Sequence, residues 1–175
     1  MATVALAQLH VGVGIELHPI ARSALEAILA GQTPDHLGFV AAEGALPPLH
    51  VAERSLRLLD DGCPPEWALP FNMVDTSSGV IVGGCGFKGA PVHGMVEIGY
   101  GVATSFQRRG FATLAVRSLL GRAAQSGLVR GVEAYIVPGN VASETVASRS
   151  GFIPGSLVAD SSGEMVVRWQ FFVVT

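Results

Sequence analysis

The feature that most constrains the fold is a short basic turn, residues 107–113, which reads Gln-Arg-Arg-Gly-Phe-Ala-Thr. Before it, residues 95–103 alternate between apolar side chains and small or charged ones, a period of two that predicts a strand. After it, residues 113–126 carry apolar side chains at helical spacing as far as Gly127. Because the first N–H groups of a helix have no intrahelical partners, this arrangement predicts an anion site at the turn.

The residues of the turn suit a phosphate group in particular. Gly110 has no Cβ, so an anion can approach the backbone closely, and Ala112 is small enough not to obstruct it. Arg108 and Arg109 add positive charge and forked donors that match phosphate oxygens. The sequence therefore predicts a phosphate-bearing ligand at the start of the helix.

Three sequence elements carry a resemblance to a known family. Residues 107–112 resemble the acyl-coenzyme A signature Gln/Arg-x-x-Gly-x-Gly/Ala of the GNAT N-acetyltransferases, and residues 95–103 are similar to the preceding strand of their RimJ/RimL-like, ribosomal-protein branch. The third element, residues 134–143 followed by 148–152, resembles that branch's Asn-x-x-Ser and Lys-x-Gly-Phe motifs, with Arg149 in place of the lysine. Three elements in the same order are more specific than any one of them.

The resemblance implies a GNAT-like α/β fold, with a central mixed sheet of about six to seven strands, a splayed parallel pair and helices on both faces. It also implies acetyl-coenzyme A as co-substrate, with pantetheine beside the backbone of Val102 and pyrophosphate on the turn. The cofactor-binding residues transferred in this way are Val102, Gln107, Arg108, Arg109, Gly110, Phe111, Ala112, Thr113 and Asn140.

The activity implied is N-acetylation of a primary amine by direct attack on the thioester. Glu97 lies on the central strand opposite its aliphatic row and is the candidate general base, acting through water, with Glu133 as the alternative. Ser143 stands where many relatives have a tyrosine that protonates the departing thiolate. Each also has a structural interpretation: Glu97 could bond to strand or helix ends, and Ser143 could stabilise the start of its helix.

Read in order, the chain predicts one domain over residues 1–175. Pro19 is expected in the first turn of a helix that ends at Gly31, and residues 32–48 are expected to form a loop. A second helix is predicted over 49–60, and the helix after residues 113–126 is predicted over 140–150 with Asn140 as its cap. The other predicted strands are residues 15–18, 67–75, 80–88, 131–137, 153–159 and 164–173.

Composition excludes several classes of function. A formal charge of −3 gives no general attraction to nucleic acid, and no apolar run approaches a membrane span, so we expect a cytoplasmic protein without nucleic-acid or membrane partners. Cys63 and Cys85 lack metal-ligand spacing, so no metal site is expected and Cys85 is interpreted as a packed thiol. Lys88 lies near several glycines but lacks the P-loop pattern.

Several points stay open in the sequence. The acceptor could be a protein N-terminus or a small amine, and a non-catalytic acyl-coenzyme A sensor or assembly module is the alternative function. Residues 1–13 could form an edge strand or a contact in a homodimer. Four residues on the expected acceptor side could touch substrate or lie in solvent: His36, Glu43, His50 and Glu53.

Overall fold

The computed structural model describes residues 13–34, 38–160 and 162–173. The predicted strand, turn and helix are all present, with the helix starting at Phe111, two residues before the predicted start. The strands are β1 (Ile15–Pro19), β2 (Val40–Ala41), β3 (Phe71–Asp75), β4 (Val80–Phe87), β5 (Met95–Val102), β6 (Gly131–Ile136), β7 (Ile153–Ala159) and β8 (Met165–Phe172). The helices are α1 (Arg22–Leu29), α2 (Leu49–Asp60), α3 (Pro65–Ala68), α4 (Phe111–Gln125) and α5 (Val141–Arg149), with a 3₁₀ turn at Thr104–Phe106.

The strands form one mixed sheet in the order β1-β3-β4-β5-β6-β8-β7, and β2 pairs with β4 outside this path. Pairing is parallel between β5 and β6 and between β2 and β4, and antiparallel elsewhere. The predicted fold class is therefore confirmed, with eight strands in the described part of the chain.

The parallel strands β5 and β6 separate halfway along their length. They pair only from Met95 opposite Gly131 to Glu97 opposite Glu133. Beyond that point β5 continues to pair with β4 as far as Val102, and β6 continues with β8 as far as Ile136. Among the described residues, the backbone groups that face each other across the gap have no strand partner, so the sheet contains the predicted opening.

Helix α4 covers the sheet beside this opening. It packs against β1, β3, β4 and β5 and buries Ala115, Val116 and Leu119 at helical spacing. Burying one side chain of leucine size contributes about 1.5–3 kcal/mol. The helix start, and with it the basic turn, is thus held firmly at the end of β5.

Two predicted elements near the N-terminal half were wrong. The strand expected over residues 67–75 begins only at Phe71, because α3 starts at Pro65 and carries Trp67 onto the ring of Phe87 at 4.8 Å between centroids. Proline at the first helical position favours such a turn, since its missing N–H would have no partner there. Pro64 and Pro65 therefore mark the start of a short helix.

Pro19 does not start a helix either. It is the last residue of β1, opposite Phe71, and α1 begins at Arg22. Proline is tolerated there because β1 is an edge strand. The loop expected over residues 32–48 contains the two-residue strand β2, while most of the N-terminal lead-in, residues 1–12, lies outside the described residues.

Candidate active site

The turn before α4 contains two residues in the left-handed region. Arg108 has φ 64° and Gly110 has φ 89°. A glycine adopts this conformation without strain, and no atom lies within 4 Å of where a Cβ of Gly110 would be. Arg108 is unusual, since left-handed residues with a side chain are uncommon and are often found at ligand sites.

The start of α4 presents free hydrogen-bond donors. Leu114 N donates to Gly110 O at 3.1 Å, which is where the helical bonding begins. Among the residues that the structure describes, no protein acceptor pairs with the backbone N–H groups of residues 110–113. Unpaired N–H groups and the positive end of the helix dipole both favour an anion at this point.

A cavity of about 770 Å³, which we call the turn cavity, opens between this turn, the end of β5 and α5. Phe111 contributes backbone, because its side chain is buried in the core beside Phe106. Of the residues expected to bind the cofactor, the following line the turn cavity: Val102, Gln107, Arg108, Gly110, Phe111, Ala112, Thr113 and Asn140.

The two arginines of the turn differ in their surroundings. Arg108 lines the turn cavity, whereas Arg109 donates from Nη2 to Ser105 O at 3.0 Å and stacks over the ring of Phe106. Of the two arginines expected to face the anion, Arg108 lines the turn cavity and Arg109 does not. Gln107 also bonds internally, through its Nε2 to the carbonyl oxygen of Val102 at 3.1 Å.

A second cavity of about 560 Å³, the α2 cavity, lies between α2 and the sheet. Its floor is nearly free of side chains because Gly84 pairs with Gly101 and Gly86 with Gly99 across β4 and β5. The two cavities meet at the opening between β5 and β6, where the same residues line both: Tyr100, Gly101, Val102, Asn140 and Ser143.

Glu97, the predicted base, is held by a lysine. Its Oε1 accepts from Nζ of Lys88, and both side chains are about one-third exposed. The chain of Lys88 crosses Gly99, where an added Cβ would meet Cε at 3.3 Å. Lys88 lines the α2 cavity, whereas Glu97 lines neither cavity.

Glu133, the alternative base, is satisfied by neighbours on its own side of the sheet. It accepts from the hydroxyl of Tyr135 at 3.0 Å and from Nε2 of Gln170 at 2.9 Å. Nη1 of Arg168 lies 4.0 Å from Oε1 of Glu133. These contacts are those of a structural carboxylate that fixes β6 against β8.

Tyr100 and α5 meet where the cavities join. The Tyr100 hydroxyl donates to the backbone carbonyl of Ser143 at 3.1 Å, and burial raises the pKa of Tyr100 to about 12. Asn140 caps α5, since its Oδ1 accepts from Ser143 N at 3.2 Å. Within the described chain the Ser143 hydroxyl has no protein partner, so it is free to face a ligand.

The residues expected on the acceptor side are only partly brought together. His50 lines the α2 cavity, whereas Glu43 and Glu53 do not. His36 lies outside the described residues.

Comparison with protein families decides the identity of the chain. The model of the acetyltransferase (GNAT) domain matches residues 15–153, which is most of the sequence. The chain belongs to the GNAT acetyltransferase family. The prediction of an N-acetyltransferase is thereby confirmed at the level of the family, and no curated protein sequence matches this acetyltransferase.

Solved structures of other acetyltransferases share the fold of this protein. It resembles the aminoglycoside acetyltransferase AAC(6')-Ib in complex with coenzyme A, with TM-score 0.65, 16% identity and coverage of 91% and 95% of the two chains. The RimL ribosomal-protein acetyltransferase in complex with coenzyme A has a TM-score of 0.63 and 17% identity, with coverage of 91% of this chain and 94% of the other. A ribosomal-protein alanine acetyltransferase from Vibrio fischeri has a TM-score of 0.63 and 15% identity, with coverage of 90% of this chain and 92% of the other.

Sequence reasoning missed two polar residues of the α2 cavity in this acetyltransferase. Lys88 was weighed only as a P-loop lysine, and Arg54 was not singled out at all. No signal within α2 singles out Arg54, because its place in the cavity depends on how the helix lies relative to the sheet. In the described part of the chain, no helix is long and apolar enough to cross a membrane, and no cluster of metal-ligating side chains is found.

Proposed function

We propose that this protein transfers an acetyl group from acetyl-coenzyme A to a primary amine by direct attack on the thioester. The donor lies in the turn cavity and the amine enters through the α2 cavity. The observation that carries this proposal is the row of unpaired N–H groups at residues 110–113, beside the opening between β5 and β6.

The turn cavity offers the groups that a coenzyme A molecule needs. Backbone N–H groups of residues 108–112 and the hydroxyl of Thr113 suit a pyrophosphate, and Arg108 adds positive charge. The carbonyl of Val102 already accepts from Gln107 but keeps a second lone pair for the pantetheine arm. Asn140 uses its Oδ1 as a helix cap, which leaves its NH₂ group free to donate to that arm.

The chemistry requires a neutral amine. An α-amino group with pKa near ~8 is about one-tenth neutral at pH 7, and deprotonating it costs roughly 1.4 kcal/mol, against roughly 4.6 for a lysine near ~10.4. We propose Glu97 as the base, acting through water because it lines neither cavity directly. The amine nitrogen forms the new C–N bond, the C–S bond breaks, and the Ser143 hydroxyl donates to the leaving thiolate.

We further propose membership of the RimJ/RimL-like branch, with a protein N-terminus as one class of acceptor. The supporting observation is that Asn140 and Ser143 both lie at the junction of the two cavities, the place that this branch's Asn-x-x-Ser element requires. A peptide N-terminus also has the lower cost of deprotonation. Small primary amines are the second class of acceptor.

Calorimetry with acetyl-coenzyme A tests the donor site. We expect Gly110→Glu to weaken binding at least about tenfold, because a carboxylate would replace the open space beside the free N–H groups. Gly127→Glu is the matched control, since Gly127 also has positive φ and open space but lies at the other end of α4. Equal affinity in the two variants would remove the donor site from residues 108–113.

Release of coenzyme A, measured against peptides and small amines, tests catalysis. Transfer predicts release that depends on the amine. Tight donor binding with no release from any amine would support the sensor or assembly module instead.

A further inference from the structure

The charged side chains that line the α2 cavity are all cationic. Arg54 and Lys88 line it, together with the titratable His50. No aspartate or glutamate is among the described residues of its wall. The cavity in which the acceptor amine is proposed to lie therefore presents positive rather than negative charge.

The two cations are not equally compensated. Lys88 is paired with Glu97, whereas Arg54 makes no hydrogen bond or ion pair with any described protein group. The Nε of Arg54 is buried without an acceptor, and Glu97 acts on the guanidinium only through longer-range attraction. The single carboxylate of Glu97 therefore lies near two cations, Lys88 and Arg54, and does not neutralise both.

An unsatisfied, partly buried guanidinium is unfavourable unless something binds it. Burial is the main cause that lowers the pKa of Arg54, with Arg57 acting in the same direction. Arginine nevertheless keeps its charge and presents a planar fork that fits a carboxylate through two hydrogen bonds. An anionic group bound in the cavity would complete the hydrogen bonding of this guanidinium.

We propose that the acceptor is an amine that also carries a carboxylate, and that Arg54 binds this carboxylate while the amine faces the opening between β5 and β6. The proposal rests on the proposed acetyl transfer and names its substrate class. A polycationic acceptor is disfavoured, because its further ammonium groups would lie beside Arg54 and Lys88 with no carboxylate on the wall to receive them.

The test uses amines in matched pairs that differ only in a carboxylate or a carboxamide, such as glutamate α-amide and glutamine α-amide. Aspartate and asparagine α-amides vary the distance, lysine α-amide supplies a cationic member, and short peptides with the same first residues separate a small acceptor from a peptide. Both coenzyme A release and binding to the coenzyme A-loaded protein are measured, so slow turnover does not hide the preference.

We expect the carboxylate member to be favoured roughly 10- to 100-fold in kcat/KM or in affinity, as for hydrogen bonds to a charged group. Arg54→Gln should abolish the preference and Arg54→Lys should restore part of it. Arg57→Gln is the matched control, because it removes the same charge from the exposed side of the same helix.

The inference is overturned if neutral or cationic amines bind and react as well as carboxylated ones, or if the preference survives in Arg54→Gln. Failure of the proposed function looks different, because acetyl-coenzyme A then either fails to bind the native protein in a separate titration or is bound without release by any amine. Normal donor binding and amine-dependent release with no carboxylate preference reject this inference alone.

Discussion

The ammonium group of Lys88 pairs with Oε1 of Glu97 across the neighbouring strands β4 and β5. An oxygen that is already bound by a lysine is not free to take a proton from an amine. A base role for Glu97 therefore has to use its second oxygen or a water molecule at the edge of the α2 cavity. The pair also gives Glu97 a structural role, so substitution has to separate the two roles.

Glu97→Gln makes that separation, because the amide keeps an oxygen for Lys88 and cannot act as a base. We expect kcat to fall about 100-fold, at the lower end of the effect of general base catalysis. The free energy of unfolding should change by no more than about 1 kcal/mol, since the pair is partly exposed. Glu133→Gln is the control and should leave kcat nearly unchanged; a native rate and pH profile in Glu97→Gln would make Glu97 purely structural.

Ser143 and Tyr100 can be separated in the same way. Ser143→Ala removes only the free hydroxyl and keeps the carbonyl that accepts from Tyr100, so we expect kcat to fall about tenfold with little change in the KM for the donor. Tyr100→Phe removes the hydrogen bond from the tyrosine to that carbonyl and should lower stability by about 1 kcal/mol. Steady-state kinetics test the effect of Ser143→Ala on kcat, and urea unfolding tests the effect of Tyr100→Phe on stability. An unchanged kcat in Ser143→Ala would exclude its hydroxyl as the donor to sulfur.

Cys85 and Tyr100 make stability depend on alkaline pH. Burial raises the pKa of Cys85 from 9.0 to about 12 and that of Tyr100 from 10.0 to about 12. The folded protein then keeps protons that the unfolded chain has lost. The stabilisation is complete below about pH 9 and decreases as the pH rises towards 12.

We therefore expect the free energy of unfolding to fall with a slope of up to roughly 1.4 kcal/mol per pH unit for each group above its unfolded pKa. Urea unfolding across this range measures the slope. Cys85→Ala should remove the part that begins near pH 9, whereas Cys63→Ala, at a partly exposed thiol, is the control. A flat profile for the native protein would contradict the assignment.

The parts of the fold that sequence predicted well depend on local patterns. Each of three features is encoded by a segment of about fifteen residues or fewer: the period-two run of β5, the helical spacing of α4 and the end of that helix near Gly127. The free N–H groups of the turn follow from the strand-to-helix connection itself. The opening of the sheet beside the turn, by contrast, was expected from the family resemblance.

The parts that sequence missed depend on contacts between distant segments. Trp67 was assigned to a strand, whereas it lies in α3 and packs against Phe87 of β4. That contact joins separate segments, so the local sequence around Trp67 does not reveal it. The pairing of Lys88 with Glu97 follows from the register of β4 on β5. Arg54 reaches the cavity only because α2 docks above the glycine floor, and no spacing within α2 reveals that position.

Asn140 combines two roles that a pair of variants can distinguish. Its Oδ1 caps α5, and we propose that its NH₂ group donates to the pantetheine arm. Asn140→Ser keeps a good cap without the amide, whereas Asn140→Ala removes both. We expect the alanine variant to lose about 1 kcal/mol of stability and the serine variant only a few tenths, while both bind acetyl-coenzyme A about tenfold more weakly. Unfolding and calorimetry measured on the same samples provide the check, and native affinity in Asn140→Ser would leave Asn140 as a helix cap alone.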